Sequence, residues 1–506
     1  MKAKHYIIAL ASLSLSMAVS SCQDFLDTQP LGEELSENFF ATSDGAVQAT
    51  NAIYNQLRDF SVHTFSFIGI ASVASDDADK GSTPGDAPAM GELDNFTATA
   101  ANGLLDGFWQ GHYLGIARAN QVILRVPDIA MDDALKARLI AEARFLRGYF
   151  YFNLVRFFGG VPLLNGVPAA ADANNPALQT RASVADTYTF LINDLQFAID
   201  NLPEKGATTL GRVTKGAAQA MLAKVYLYQR NYQRAYDLSQ AVITGAKYQL
   251  YPTYADIWRT VGNNNSESVF EVQTGVNAAC NNSAVNLYSV SQGPRQGGRG
   301  GWSDLGFGFN TPTSDLANAY EANDVRRAGT IIFINNTAPA GQRSVGTVLW
   351  DGFRIPSKDS VENQRYSYKA YHSRTREPNC GNNDYLPKNI RVMRYAEVLL
   401  INAEAAFQLG NTAAATTALT AIRTRAGLPA VAPTLARIWQ EHRVELALEH
   451  DRFFDLVRQE VVQPGRIVPI FTAQGKTFTK GKNEIFPIPQ AQIDLSGGAL
   501  TQNPGY

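Results

Sequence analysis

Ala217-Ala218-Gln219-Ala220-Met221-Leu222-Ala223-Lys224-Val225-Tyr226-Leu227-Tyr228-Gln229-Arg230-Asn231-Tyr232-Gln233-Arg234-Ala235-Tyr236 is the stretch on which the fold turns. Ala217, Ala220 and Ala223 alternate with Leu222, Tyr226 and Leu227, and Ala235-Tyr236 resumes the pattern beyond Arg230-Asn231. The spacing predicts two helices, Lys215 to Gln229 and Tyr232 to Thr244, joined by a tight turn and packed small side chain against ring.

A second pair is expected from Val392 to Leu409 and from Thr412 to Ala426, hinged at Gly410-Asn411. Such pairs are similar to degenerate tetratricopeptide units. Asp133 to Phe158 reads as a long helix, with Phe145, Tyr149, Phe150, Asn153 and Phe157 at steps of three, four and one, stopped by Gly159-Gly160-Val161-Pro162. Val184 to Leu202 is another, ended by Pro203, and Trp439 to Arg458 a further one. Between Tyr248 and Pro387 the texture changes to Gly, Asn, Ser and aromatics, with strand-like runs at Ser268–Gln273 and Gly329–Ile334. So long an irregular stretch is usually functional or disordered. Its rings, among them Tyr288, Trp302, Phe307, Phe309, Trp350 and Phe353, argue against disorder. The fold class expected is mostly α: a tetratricopeptide-like helical scaffold carrying an irregular, loop-rich lobe with a few short strands.

At the start, Lys2 and Lys4 precede an apolar run from Tyr6 to Val19, too short to span a bilayer, that ends in Val19-Ser20-Ser21-Cys22. This is the form of a bacterial lipoprotein signal. Residues 1–21 would be removed, Cys22 acylated, and 22–36 left as a lipidated tether; several acyl chains at about 0.8 kcal/mol per buried CH₂ make a stable anchor. Residues 37–247 then form the first helical part, 248–387 the irregular recognition lobe, and 388–506 the second helical part with a closing extended segment. Losing residues 1–21 takes two lysines and no acid from 44 basic and 46 acidic residues, moving the net charge from −2 to −4. Nothing in that balance attracts nucleic acid. With 18% of residues charged, the surface suits uncharged polar ligands. Cys280 and Cys380 remain; they can pair in an oxidising compartment, worth about 4.7 kcal/mol in the chain-entropy model, or stay as free thiols.

The motifs spread over nearly the whole mature chain resemble one family. Ser21-Cys22-Gln23-Asp24-Phe25-Leu26-Asp27, Phe108-Trp109 with Ile116 to Ile123, and Glu142 to Arg147 continuing to Phe158-Gly159-Gly160-Val161-Pro162-Leu163 come first. Arg394 to Leu400, Ala403-Glu404-Ala405, Ile422 to Leu428, Glu441 to Leu446 and Arg452 to Arg458 follow in order, and the chain closes on Phe486-Pro487-Ile488-Pro489 and Thr501 to Tyr506. Together they are similar to the SusD/RagB-like outer-membrane nutrient-binding lipoproteins. That resemblance implies a helical, tetratricopeptide-like fold at the cell surface, lipid-anchored in the outer membrane and packed against a SusC-like TonB-dependent transporter. It also implies a ligand site in the irregular lobe. The ligand would be an oligosaccharide or polysaccharide, with a peptide, as in RagB-like members, as the alternative.

Sugar recognition needs a flat apolar face for the ring and a rim of donors and acceptors. Trp302, in Gly300-Gly301-Trp302-Ser303-Asp304, and Tyr288 are the leading ligand candidates. Phe96, which follows a Lys80–Pro88 loop read as mobile, is a third, and Phe309 and Asp77 complete the set; core packing competes for every ring, most of all for Phe307 and Phe309. Trp109 and Trp439 are assigned to the core. Glu397 and Glu404, seven apart on one helix face, could mimic a glycosidase acid/base pair, but read as partly buried ion pairs near Arg423 and Arg425. Glu441, Glu445 and Glu449 at steps of four, beside Arg437, Arg443 and Arg452, read as helix-surface charge pairing. No Gly-x-Ser-x-Gly elbow, His-Glu-x-x-His helix or phosphate-binding loop occurs. Asp76, Asp77 and Asp79 are hard-ligand types without calcium-loop spacing. The expectation is therefore a binding protein with no catalytic residue, cofactor or metal.

Overall fold

The computed structural model describes residues 39–172, 175–274, 287–295, 306–336, 345–358, 360–378 and 386–506. Its longer helices are α1 (Ser43–Gln56), α2 (Gly103–Arg125), α3 (Asp133–Phe158), α4 (Val184–Asn201), α5 (Lys215–Tyr228), α6 (Tyr232–Thr244), α7 (Tyr395–Gln408), α8 (Thr412–Arg425), α9 (Leu435–Leu446) and α10 (Arg452–Val462). Their starts are written in side chains. Asn102, Asp132, Ser183, Thr214, Asn231, Asn411 and Thr434 each accept a hydrogen bond from a first-turn backbone N–H. Each such cap is worth about 1 kcal/mol.

The two helix pairs turn in the same way. After α5, Arg230 takes a left-handed φ of 59° and the Asn231 N–H donates to the Tyr226 carbonyl at 2.9 Å. After α7, Gly410 has φ 78° and the Asn411 N–H donates to Ala406 at 2.8 Å. Both are left-handed C-terminal stops, and the next asparagine caps the following helix. Consecutive helices from α1 to α8 then pack side by side, and α9 folds back onto α7. Helices α6 and α7 are neighbours although the lobe intervenes between them in the chain. That lobe is tied at its neck: β2 (Ser268–Val272) pairs antiparallel with β8 (Ile390–Arg394). Because residues 390–394 are strand, α7 starts at Tyr395 and not at Val392.

The lobe has its own small core of Tyr254, Ile257, Trp258, Ile332, Tyr366 and Tyr371, covered by Trp350 and Phe353. Three more two-stranded ladders pin it: β1 (Ala78–Gly81) with β3 (Phe309–Pro312), β4 (Ile331–Phe333) with β7 (Arg365–Ser367), and β5 (Thr347–Val348) with β6 (Arg354–Ile355). The main core stacks Phe108 on Phe157 at 4.0 Å, with Phe454 and Phe486 against Phe157. Trp109 and Trp439 are buried. The closing segment docks here, the Phe486 N–H donating to the Phe157 carbonyl at 2.7 Å.

Two further sequence expectations need correction. The span Trp439 to Arg458 is two helices, broken at Ala447–Asp451 by left-handed Leu448 and His450. Glu441 and Glu445 are not on a solvated face: they are 3% and 0% exposed and pair with Arg326, Arg394, Arg423 and Arg425.

Helices α2 and α3 approach through Gly115, where a Cβ would lie 2.4 Å from the Phe150 ring. Alanine there gains about 1 kcal/mol of helix propensity and meets about 1–3 kcal/mol of overpacking. Phe150 is fully buried against His112, so its ring has little room to yield. Gly115→Ala is therefore expected to lower the urea midpoint; an unchanged or raised midpoint would show that the ring swings aside.

Candidate functional site

Three polar segments, one from the first helical part and two from the lobe, converge on one surface. The first is the loop after β1. Gly81 (φ 70°) and Ser82 (φ 55°) turn the chain, and a Cβ on Gly81 would stand 2.3 Å from the Gly308 carbonyl. Asp86 folds the loop back, accepting from the Ser82 hydroxyl at 2.6 Å and the Thr83 N–H at 3.4 Å. Those two hydrogen bonds, with Arg295 beside them, hold the Asp86 carboxyl below the usual carboxylate range. Lys80 closes the ring, its ammonium donating to the Thr83 and Asp86 carbonyls at 2.8 Å each. The loop read as mobile is thus fastened by its own side chains.

The second segment is the pair of residues flanking 296–305. Phe307 N–H donates to Val290 at 2.7 Å and Gly308 N–H to Gly293 at 2.9 Å, which brings Arg295 and Gly306 together. Gly306 has no space for a side chain: a Cβ would meet the Val290 carbonyl oxygen at 2.2 Å and the Gly293 Cα at 2.6 Å. The third is residues 361–365. Asn363 Oδ1 accepts from the Ser82 N–H at 3.2 Å, and the Glu362 N–H donates to the Arg295 carbonyl at 3.0 Å. An ion pair of Arg295 with Asp86, 3.0 Å, joins first to second. The result is a half-exposed base of amide, hydroxyl, carboxylate and guanidinium groups. Such a base can hydrogen-bond sugar hydroxyls.

Most sequence-chosen candidates fall elsewhere. Trp302, Cys22, Cys280 and Cys380 lie outside the described residues. Tyr288 is buried, its hydroxyl 3.0 Å from His450 Nε2, and burial pushes its pKa up to about 12. Phe96 is buried among Phe453, Phe471 and Phe478, and Phe309 packs edge-on against Phe65. Asp77 is buried, 2.7 Å from Arg443 Nε. Each of these four is covered by a partner from a distant part of the chain. Burial and the neighbouring Asp76 charge raise the Asp77 pKa. Burial works against Asp76 as well, yet its two-toothed contact with Arg452 at 2.7 Å outweighs this and holds it at about 2. With arginines on both, Asp76 and Asp77 are not free metal ligands; among the described residues no group of three or more His, Cys, Asp or Glu could hold an ion.

The glutamates of α7 are also spoken for, though by partners other than those expected. Glu397 binds Lys224 at 2.7 Å and Glu404 binds Arg458 at 2.9 Å, all buried. Glu397 lines an internal cavity of about 40 Å³, room for a few waters and too small for a pyranose ring. Sequence reasoning missed Lys80, Ser82, Asp86 and Asn363; the one local signal was Gly81-Ser82-Thr83-Pro84-Gly85-Asp86, a turn-rich run closing on an acid.

The chain is similar to known proteins over most of its length. Residues 249–506 match the family model described as "SusD family", and residues 34–227 match one described as "Starch-binding associating with outer membrane". A SusD-like protein of Bacteroides ovatus is 26% identical over all of this chain and 92% of its own length. Among solved structures, a laminarin binding SusD-like protein is 30% identical, covers 92% of this chain and all of its own, and superposes with a TM-score of 0.78. The surface glycan-binding protein A of Bacteroides thetaiotaomicron, solved in complex with laminarihexaose, shares the fold at 22% identity, covering 91% of this chain and 99% of its own, with a TM-score of 0.74.

Proposed function

The chain belongs to the SusD family, and on that premise we propose that it binds a neutral oligosaccharide or polysaccharide at the cell surface without cleaving it. It is held to the outer membrane by acyl chains on Cys22 and passes its ligand to a SusC-like TonB-dependent transporter. The observation that carries this reading is the convergence of the Lys80–Asp86 loop, Asn363 and the two residues flanking 296–305 into one polar base. Trp302 stands in the sequence between those flanks and is the ring proposed to stack on the sugar, with the base supplying hydrogen bonds. Names of similar proteins support the ligand class: one is called laminarin binding, and another was solved with laminarihexaose. Absence of catalysis is supported by the pairing of Glu397 and Glu404 with cations inside the frame.

The test is affinity electrophoresis and calorimetry of the mature protein against laminarin, starch, other neutral polysaccharides and a peptide digest. Trp302→Ala is expected to weaken glycan binding about tenfold, or 1.4 kcal/mol, with an unchanged melting temperature. Binding only to peptides, or new reducing ends appearing in the polysaccharide, would overturn the proposal.

A further inference from the structure

We infer that the groove between α6, α7 and α8 is a second binding site for an uncharged oligosaccharide, separate from the polar base of the lobe. It rests on the glycan-binding reading above and adds a place on the helical frame.

The groove encloses about 570 Å³, inside the range of roughly 300–1,000 Å³ usual for small-molecule sites. Its width comes from α8. Ala414, Thr417, Ala418 and Ala421 recur at helical spacing and present short side chains where α6 and α7 present long ones. Tyr236 of α6 and Tyr395 of α7 line it, both half-buried, over an apolar floor that includes Leu399. No acidic or basic side chain lines it. In a chain with 90 charged residues, that selects against ionic ligands and favours amide and hydroxyl partners.

Two polar groups there have hydrogen-bonding capacity that no side chain takes up among the described residues. Asn402 is 2% exposed and lines the groove; its amide nitrogen donates to Ser239 Oγ at 3.1 Å and Gln240 Oε1 at 3.3 Å. Its Oδ1 accepts no hydrogen bond among the described residues, nor does the Tyr395 hydroxyl make one. A sugar hydroxyl would satisfy Asn402 Oδ1, and a ring oxygen or hydroxyl would meet the Tyr395 O–H. The Tyr395 ring lies near Tyr248, centroids 6.5 Å apart and planes 18° from parallel, which fixes its orientation. Rings flanking an uncharged groove, with one acceptor and one donor waiting inside, are the chemistry a pyranose chain requires.

Hydrogen-exchange mass spectrometry of the mature protein tests this, with laminarihexaose, maltohexaose and other neutral hexasaccharides as probes and a tryptic peptide digest as the rival. A neutral hexasaccharide is expected to slow exchange in residues 232–250 and 395–421. Ala421→Trp, which fills the mouth, should abolish that protection and leave protection of residues 78–95 intact. Tyr395→Phe, which removes only the unpartnered hydroxyl and threatens folding least, should weaken groove binding about threefold. Protection confined to residues 78–95 and the flanks of 296–305 overturns the groove and leaves the first site standing. Protection of the groove by peptides and not by sugars also overturns it. No binding of any hexasaccharide anywhere on the chain overturns both readings together.

Discussion

Glu445→Ala is expected to cost about 3–5 kcal/mol of folding stability, the usual penalty for removing one partner of a buried ion pair. Glu445 is fully buried on α9 and serves three guanidiniums: Arg394 at 3.0 Å, Arg326 at 3.1 Å and Arg425. Those arginines come from the end of β8, the lobe and the last turn of α8, so one carboxylate joins the helical frame to the lobe. Without it, Arg425 keeps Glu267 at 3.0 Å and the Tyr254 ring, while Arg326 keeps Asp324 and Glu441. Against a total of about 5–15 kcal/mol for a folded domain, the loss should appear as a large drop in the urea midpoint. Glu445→Gln keeps the shape and removes the charge; a loss below about 1 kcal/mol in both variants would show that the cluster is inert.

The same cluster sets the response to acid. Burial opposes ionisation of Glu445, but Arg425, Arg394 and Arg326 outweigh it and hold its carboxyl far below the usual glutamate range. A carboxylate depressed on folding contributes stability that is complete above its unfolded pKa and is lost as pH falls toward the folded one. Asp76, held at about 2, acts in the same direction. Stability is expected to fall steadily from about pH 5 toward about pH 2, and Glu445→Gln should flatten that slope.

This network also shows where local sequence reading stops. The helix pairs were legible because the small-and-aromatic pattern of Ala217 to Tyr236, and the turns at Arg230-Asn231 and Gly410-Asn411, are local causes with local effects. Glu441, Glu445 and Glu449 at steps of four look the same whether they face water or a buried arginine, and Arg326, Arg394 and Arg425 are not their sequence neighbours. Tyr288 and Phe96 met the same limit. A ring in a glycine- or asparagine-rich stretch suits a ligand platform, yet His450 and Phe471 arrive from the far end of the chain to cover them. The groove of Tyr236, Tyr395 and Asn402 carried no signal at all, since its walls are separated in sequence by the whole lobe.

Gly306→Val is expected to weaken oligosaccharide binding at least tenfold, equivalent to about 1.4 kcal/mol, and to leave most of the global stability in place. The new Cβ would lie 2.2 Å from the Val290 carbonyl oxygen and 2.6 Å from the Gly293 Cα, both backbone atoms that no rotamer change can move. Relief requires parting the two strands of chain that the Phe307 and Gly308 N–H groups clasp. That displaces Arg295, and with it the ion pair to Asp86 and the carbonyl that accepts from Glu362. All three segments of the polar base loosen at once, while the Phe108–Phe157 core, built from α2 and α3, is untouched. Gly85 supplies the control: it lies in the same base, and a Cβ there meets nothing within 4 Å. Gly85→Ala should therefore bind as the parent does. Calorimetry with laminarihexaose and thermal melts of both variants decide the matter, and a Gly306→Val protein of undiminished affinity would remove this base from the binding site.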